Sequence, residues 1–169
     1  MAAKDNIPPP SIKSKPFVAI KIQTVCRERS VLKTEANVLR DLSGHPYFPT
    51  FFAFHESSHI DDPEYIVMEY LCGEDMATIR NRARSKSSTG LVPLCIASYL
   101  VRDMLHGLRE MHARGYVHRD VKPSNFVRRD DKTTQFCVID FGLTKSVCLF
   151  QFSHFLFDFP IHLLTNIRC

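Results

Sequence analysis

No glycine precedes Gly44, and the 169-residue chain holds only six. A backbone cradle for phosphates needs glycine for close approach, so its first stretch has no material for one. The six cysteines, Cys26, Cys72, Cys95, Cys137, Cys148 and Cys169, include no CxxC pair and no neighbouring histidine at zinc-site spacing. That excludes ribbon- and finger-type zinc sites and leaves reduced thiols as the expectation, placing the chain in cytoplasm or nucleus. No basic segment followed by an apolar core opens the chain, so no secretory signal is expected. Nor is there a clean apolar run of membrane-spanning length; the most apolar stretch is broken by Gln151, His154, Asp158 and Pro160. No internal repeat occurs. A net charge of +4 suits a phosphate-binding protein and equally an ordinary solvated surface.

Residues 1–16, with Pro8, Pro9, Pro10 and Pro16, read as an extended leader. Phe17 to Ile22 reads as a strand, interrupted by Lys21. Glu28 to Leu42 reads as a helix with Val31, Val38 and Leu42 on one stripe and Leu32 and Leu39 beside it. Glu35 falls on that stripe, where an acid needs a partner or a wet cleft. Thr50 to Phe54 and Tyr65 to Leu71 read as strands joined through Asp61, Asp62 and Pro63. Residues 80–90, with Arg80, Arg82, Arg84 and Lys86, read as a solvated basic helix end and a loop. Leu94 to Ala113 is the clearest helix, its stripe formed by Ala97, Leu100, Val101, Met104, Leu105, Leu108 and Met111, with Gly115 closing it. Phe136 to Ile139 reads as a buried strand leading into Asp140.

Three polar clusters carry the chemistry. The first is His118-Arg119-Asp120 with Lys122 and Asn125, and the second is Asp140-Phe141-Gly142. The third is Val18-Ala19-Ile20-Lys21 with Glu35 downstream. Phosphoryl transfer needs positioning and charge neutralisation more than covalent chemistry. Asp120 supplies a carboxylate to orient a hydroxyl and take its proton, and Lys122 a cation beside the transferred group. Asn125 and Asp140 offer the hard oxygen ligands that suit magnesium. Lys21 suits phosphates if an acid fixes its ammonium, and Glu35 is that acid.

In order and context these residues resemble the signature set of the eukaryotic serine/threonine protein kinases. Eight specified positions in the two downstream clusters recur by chance at about 10⁻¹⁰ per start site, on ordinary composition. The resemblance implies an α+β, two-lobe kinase-like fold and transfer of the ATP γ-phosphate to serine or threonine hydroxyls of protein substrates. Asp120 and Lys122 would be catalytic, and Asn125 and Asp140 would hold Mg²⁺. Ala19, Lys21, Glu35, Met68, Glu69, Leu71 and Val127 would bind the nucleotide. Among them Ala19 would roof the adenine, Val127 floor it, Met68 stand as gatekeeper, and Glu69 and Leu71 offer hinge backbone groups. His118 would be a buried structural residue. Neither nucleic acid nor membrane is an expected partner. Lys122-Pro123-Ser124-Asn125 is similar to the serine/threonine form of the loop. Asn125-Phe126, Lys33-Thr34-Glu35-Ala36 and Ile139 to Leu143 resemble the casein kinase 1 group, tau-tubulin kinase-like members included.

The resemblance divides the chain into a leader (1–16), a partial small lobe (17–71), the first part of a large lobe (72–146) and a Phe-rich tail (147–169). The glycine-rich loop and first strands expected upstream of Val18 are missing from the pattern, as is the large-lobe sequence expected after Ser146. The fold is therefore expected to be incomplete, the tail not to be kinase sequence, and activity of the isolated chain weak or nil. A non-catalytic product that binds partners through the exposed helix or the tail is the second reading.

Two other motifs are weaker. His55-Glu56-Ser57-Ser58-His59 matches the HExxH zinc-peptidase pattern, but that chemistry needs a helix. On a strand, residues four apart lie about 13 Å apart, too far to share a metal. A triad of Ser124, His118 and Asp120 lacks the nucleophile turn that would expose the serine.

Overall fold

The computed structural model describes residues 17–23, 31–59 and 62–147. The 1–16 leader, Cys26, the first turn expected for the first helix (28–30), Asp61 and the Phe-rich run beyond Val147 lie outside the described residues. Three strands and a helix come first: β1 (Val18–Gln23), α1 (Val31–Leu42), β2 (Phe51–His55) and β3 (Glu64–Glu69). Two helices follow, α2 (Met76–Lys86) and α3 (Leu94–His112). The short strands β4 (Tyr116–Val117), β5 (Phe126–Arg128), β6 (Phe136–Val138) and β7 (Lys145–Ser146) complete it, with a 3-10 turn at Pro123–Asn125 before β5.

The first sheet is antiparallel in the order β1-β3-β2. Its register sets Ala19 opposite Met68 and Lys21 opposite Ile66. Period-two alternation sends Ala19 and Lys21 to one face of β1 and leaves Val18, Ile20 and Ile22 on the exposed face. Helix α1 packs against β2 and β3 through Leu32, Ala36, Leu39 and Leu42, all buried. Full burial of each leucine stabilises by roughly 1.5–3 kcal/mol. The expected stripe packs except at its first residue: Val38 and Leu42 are buried together with Leu32 and Leu39. Val31 is exposed, whereas Glu35 is buried with the leucines. Gly44 ends the helix at φ +87°, a left-handed conformation that glycine adopts without steric cost.

Asp75 starts α2, which sequence periodicity left undefined upstream of residue 80. Its carboxylate accepts from the Thr78 N–H at 3.0 Å and from the Thr78 hydroxyl at 2.7 Å. Helix α3 runs as expected, but its buried face is centred on Leu100, Asp103, Gly107 and Met111. Val101 and Leu105, expected inside, are exposed at 47% and 39%. The cause is Gly107: a Cβ there would lie 2.7 Å from Val138 Cγ2, so α3 presses its glycine edge onto β6. Phe48, Phe126, Phe136 and Phe141 fill the core between the sheet and α3, each nearly fully buried. The α+β character and the helix-rich second half agree with an incomplete two-lobe fold.

Candidate active site

Lys21 comes from β1, Glu35 from α1 and Asp140 from the loop after β6. The Lys21 ammonium donates to both Glu35 oxygens at 2.8 Å and to Asp140 Oδ1 at 2.9 Å. Glu35, the acid on the apolar stripe, thus has the partner its burial demands. Burial pulls the Lys21 pKa down, but hydrogen bonds and charge from Glu35 and Asp140 outweigh it, and the net shift is upward. For Asp140, burial pushes upward and the Lys21 hydrogen bond and charge push harder downward, so it titrates below the usual carboxylate range.

The catalytic-loop cluster is held from below by His118, which is fully buried. Its Nδ1 accepts from the Asp120 N–H at 3.3 Å, so Nε2 carries the proton and donates to the Ile139 carbonyl at 3.0 Å. One imidazole therefore ties the segment bearing Asp120 to the residue before Asp140. Arg119 and Asp140 both sit in the left-handed region, at φ 66° and 65°. Non-glycine residues there carry strain of order 1–3 kcal/mol, which the surrounding contacts offset. The Arg119 guanidinium donates to the Leu143 carbonyl at 2.5 Å, and Phe141 packs against His118 and Phe48. Strands β4 and β7 pair beside them, Tyr116 with Ser146 and Val117 with Lys145.

Lys122 Nζ donates to Asp120 Oδ2 at 2.7 Å. The Asn125 amide nitrogen donates to the Asp120 carbonyl at 2.8 Å and to Oδ2 at 3.1 Å. The Lys122 hydrogen bond holds the Asp120 pKa below its ordinary value; desolvation opposes it, and the Asn125 hydrogen bond adds to the lowering. Both donors on the Asn125 nitrogen being directed at Asp120, the amide oxygen is the atom left for a cation. With the Asp140 carboxylate it makes a hard oxygen pair, the chemistry magnesium takes from protein side chains beside substrate phosphates. The donor set therefore fits that ion.

A cleft of about 440 Å³ lies between sheet and helical half, within the range of small-molecule sites. Ala19, Lys21, Glu35, Met68, Glu69, Leu71, Val127, Asn125 and Asp140 all line it, so every nucleotide- or metal-directed residue expected from sequence converges there. Asp120 and Lys122 are not part of the lining and join it through Asn125. Phe141 of the second cluster lines the cleft too, as do Pro49, Tyr70 and Ile139, which the sequence did not mark as site residues. Ile139 was legible only as the end of an apolar run, and Pro49 only as a break. Arg129, which braces the hinge run from behind, carried no sequence signal.

The HExxH residues have other engagements. His55 closes β2, hydrogen-bonds through Nε2 to the Asp62 carboxylate at 2.8 and 2.9 Å, and stacks on Tyr65. Lys33 donates to Glu56. Among the described residues no group of three or more His, Cys, Asp or Glu side chains gathers as a metal site. Cys72 and Cys95 are free thiols, and the buried Cys137 Sγ meets the Pro46 carbonyl and the Arg129 guanidinium. No helix among the described residues is long and apolar enough to cross a membrane.

A sheet roof, a helical floor, a lysine fixed by two acids, and a carboxylate–lysine pair beside an asparagine make a cleft whose polar groups suit a phosphorylated nucleotide. Comparison with known proteins narrows this. The protein kinase domain model matches residues 11–154, taking in part of each flank of the 17–146 span read from motifs. The chain belongs to the protein kinase family. It is 35% identical over 134 residues to a probable serine/threonine-protein kinase of Dictyostelium discoideum, covering 78% of this chain and 26% of that protein. It is 31% identical over 140 residues to misshapen-like kinase 1 of Rattus norvegicus (80% and 10%). It is 30% identical over 118 residues to serine/threonine-protein kinase ATG1a of Arabidopsis thaliana (68% and 18%). The chain thus spans about a quarter or less of each relative's length.

Proposed function

We propose that this protein transfers the γ-phosphoryl group of ATP to serine or threonine hydroxyls of protein substrates. The observation that supports this most is the meeting of Lys21, Glu35 and Asp140, which joins three separate segments at the cleft. In this reading Lys21 binds the α- and β-phosphates, with Glu35 fixing its ammonium. The adenine lies between Ala19 and Val127, against Met68 and the backbone of Glu69 and Leu71. Asp120 orients the attacking hydroxyl and accepts its proton, and Lys122 offsets charge that develops on the transferred group. Asn125 and Asp140 would hold Mg²⁺, which when bound supplies neutralisation of phosphate charge. The non-catalytic reading has less support, because Lys21, Glu35, Asp120, Lys122, Asn125 and Asp140 are assembled at or beside the cleft, although the glycine-rich cradle is missing from the pattern.

Within the family, Asn125-Phe126, Lys33 to Ala36 and Ile139 to Leu143 support membership of the casein kinase 1 group. The free thiols support a cytoplasmic or nuclear setting. The test is a thermal-shift titration of the full chain with ATP and magnesium. A stabilisation lost in Asp140→Ala is the expected result. No shift with the native chain would overturn the reading.

A further inference from the structure

The run from Glu69 to Cys72 joins the sheet to the helical half, and Tyr70 and Leu71 within it border the cleft. The Glu69 side chain is only 10% exposed, a costly position for a carboxylate without partners. It accepts from the Thr50 N–H at 3.2 Å and the Thr50 hydroxyl at 3.1 Å, and it is ion-paired with Arg129. The Arg129 guanidinium is itself fixed: it donates to the carbonyls of Pro46 and Phe48, each at 3.1 Å. At the other end of the run, the Cys72 N–H donates to the Arg129 carbonyl at 3.2 Å. One residue from beyond β5 therefore holds both ends of the hinge while lying outside the cleft lining.

We infer that Arg129 is a positioning residue that fixes the hinge backbone and thereby sets the affinity and base selectivity of the nucleotide site. The inference rests on the proposal that the cleft binds ATP. Purine bases differ in the donors and acceptors along their edges, so peptide groups fixed in space discriminate between them. A hinge with a slack end can rotate its peptides toward the wrong base. Glu69 shows that the clamp acts on an ionised group: burial pushes its pKa up, but the Thr50 N–H and Arg129 lower it below the ordinary value. A planar fork that meets Glu69, the Pro46 and Phe48 carbonyls and the Cys137 sulfur is a task that lysine does not reproduce.

The test is calorimetric binding of ATP and of GTP, each with magnesium, to the native full chain, Arg129→Ala and Arg129→Lys. The native chain is expected to prefer ATP. Arg129→Ala should weaken ATP binding by roughly tenfold and GTP binding by distinctly less, so the preference narrows. Arg129→Lys should fall between, because it keeps the charge and loses the fork. If Arg129→Ala does not fold, Arg129→Lys carries the decision. Equal weakening of both nucleotides would make Arg129 a purely structural tie and overturn the inference, as would native binding in Arg129→Lys. Absence of nucleotide binding by the native chain would instead overturn the ATP reading and this inference with it.

Discussion

The Lys21 ammonium lies midway between the two oxygens of Glu35, at 2.8 Å from each, with Glu35 almost wholly buried and Lys21 partly open to the cleft. The pair spans β1 and α1, so the position of the helix and the position of the phosphate-directed cation are one variable. Asp140 Oδ1 completes the contact from the other half of the molecule.

Removing the cation should therefore cost stability as well as binding. Lys21→Met leaves Glu35 buried without its ionic partner. The loss should be about 2 kcal/mol, below the usual range for breaking buried pairs because Lys21 is 39% exposed. Urea unfolding would read it. The double variant Lys21→Met/Glu35→Met should recover part of the loss, and a double variant no better than the single would count against the pairing.

On the proposed reading, Asp120→Asn removes the proton acceptor while keeping the shape. Wherever phosphotransfer by the native chain is measurable, it should drop by roughly 10²–10⁴-fold with little change in ATP affinity. Because the native pKa is lowered, the acid limb of the rate should lie below the ordinary Asp value of 3.8. An acid limb near neutral pH assigned to Asp120 would be inconsistent with its hydrogen bonds.

The pH dependence of stability follows from opposite shifts. Glu69 and Asp140 have folded pKa values below their ordinary 4.5 and 3.8. Their contribution is present above those values and is lost as pH falls through the folded ones. Lys21 is raised above 10.5, so its contribution is present below that value and is lost as pH rises through the folded one. Asp103, buried on α3, is raised above 3.8 mainly by burial. Its ionisation destabilises the fold as pH climbs through the folded value. Asp103→Asn should accordingly flatten the stability profile just above pH 3.8, and Asp140→Asn should flatten it below that point. Chemical denaturation at a series of pH values checks both signs.

The glycines should not be equivalent. A Cβ at Gly73 would meet the Arg128 carbonyl at 2.7 Å and the Asp130 carbonyl at 2.9 Å, backbone atoms with little freedom to move. Gly73→Ala should cost about 3 kcal/mol, at the upper end for overpacking. Gly44 has open space around it but a φ of +87°, so Gly44→Ala should cost only about 1 kcal/mol of backbone strain. Reversed ranks in thermal unfolding would show the close contact at Gly73 to be relieved.

The HExxH pattern should bind no stoichiometric zinc. Elemental analysis of purified protein is expected to be blank, and His55→Ala is expected to alter only the contact with Asp62 and Tyr65.

What sequence alone determined here is the family and the spacing of its polar clusters. Motifs such as His118-Arg119-Asp120 and Asp140-Phe141-Gly142 are local, because each role belongs to a side chain at fixed spacing in a short loop. Helix α3 was legible from its periodicity, and strand β6 from its unbroken apolar run. What only the tertiary structure decided is which faces are buried and what lies behind the site. Val31, Val101 and Leu105 are apolar and stay exposed, because Glu35, Asp103 and Gly107 occupy the packed faces for reasons of pairing and close approach. Arg129 carries no signal in its local sequence. Its grip on Glu69 and Cys72 depends on contacts across some sixty residues of chain, which no local pattern encodes.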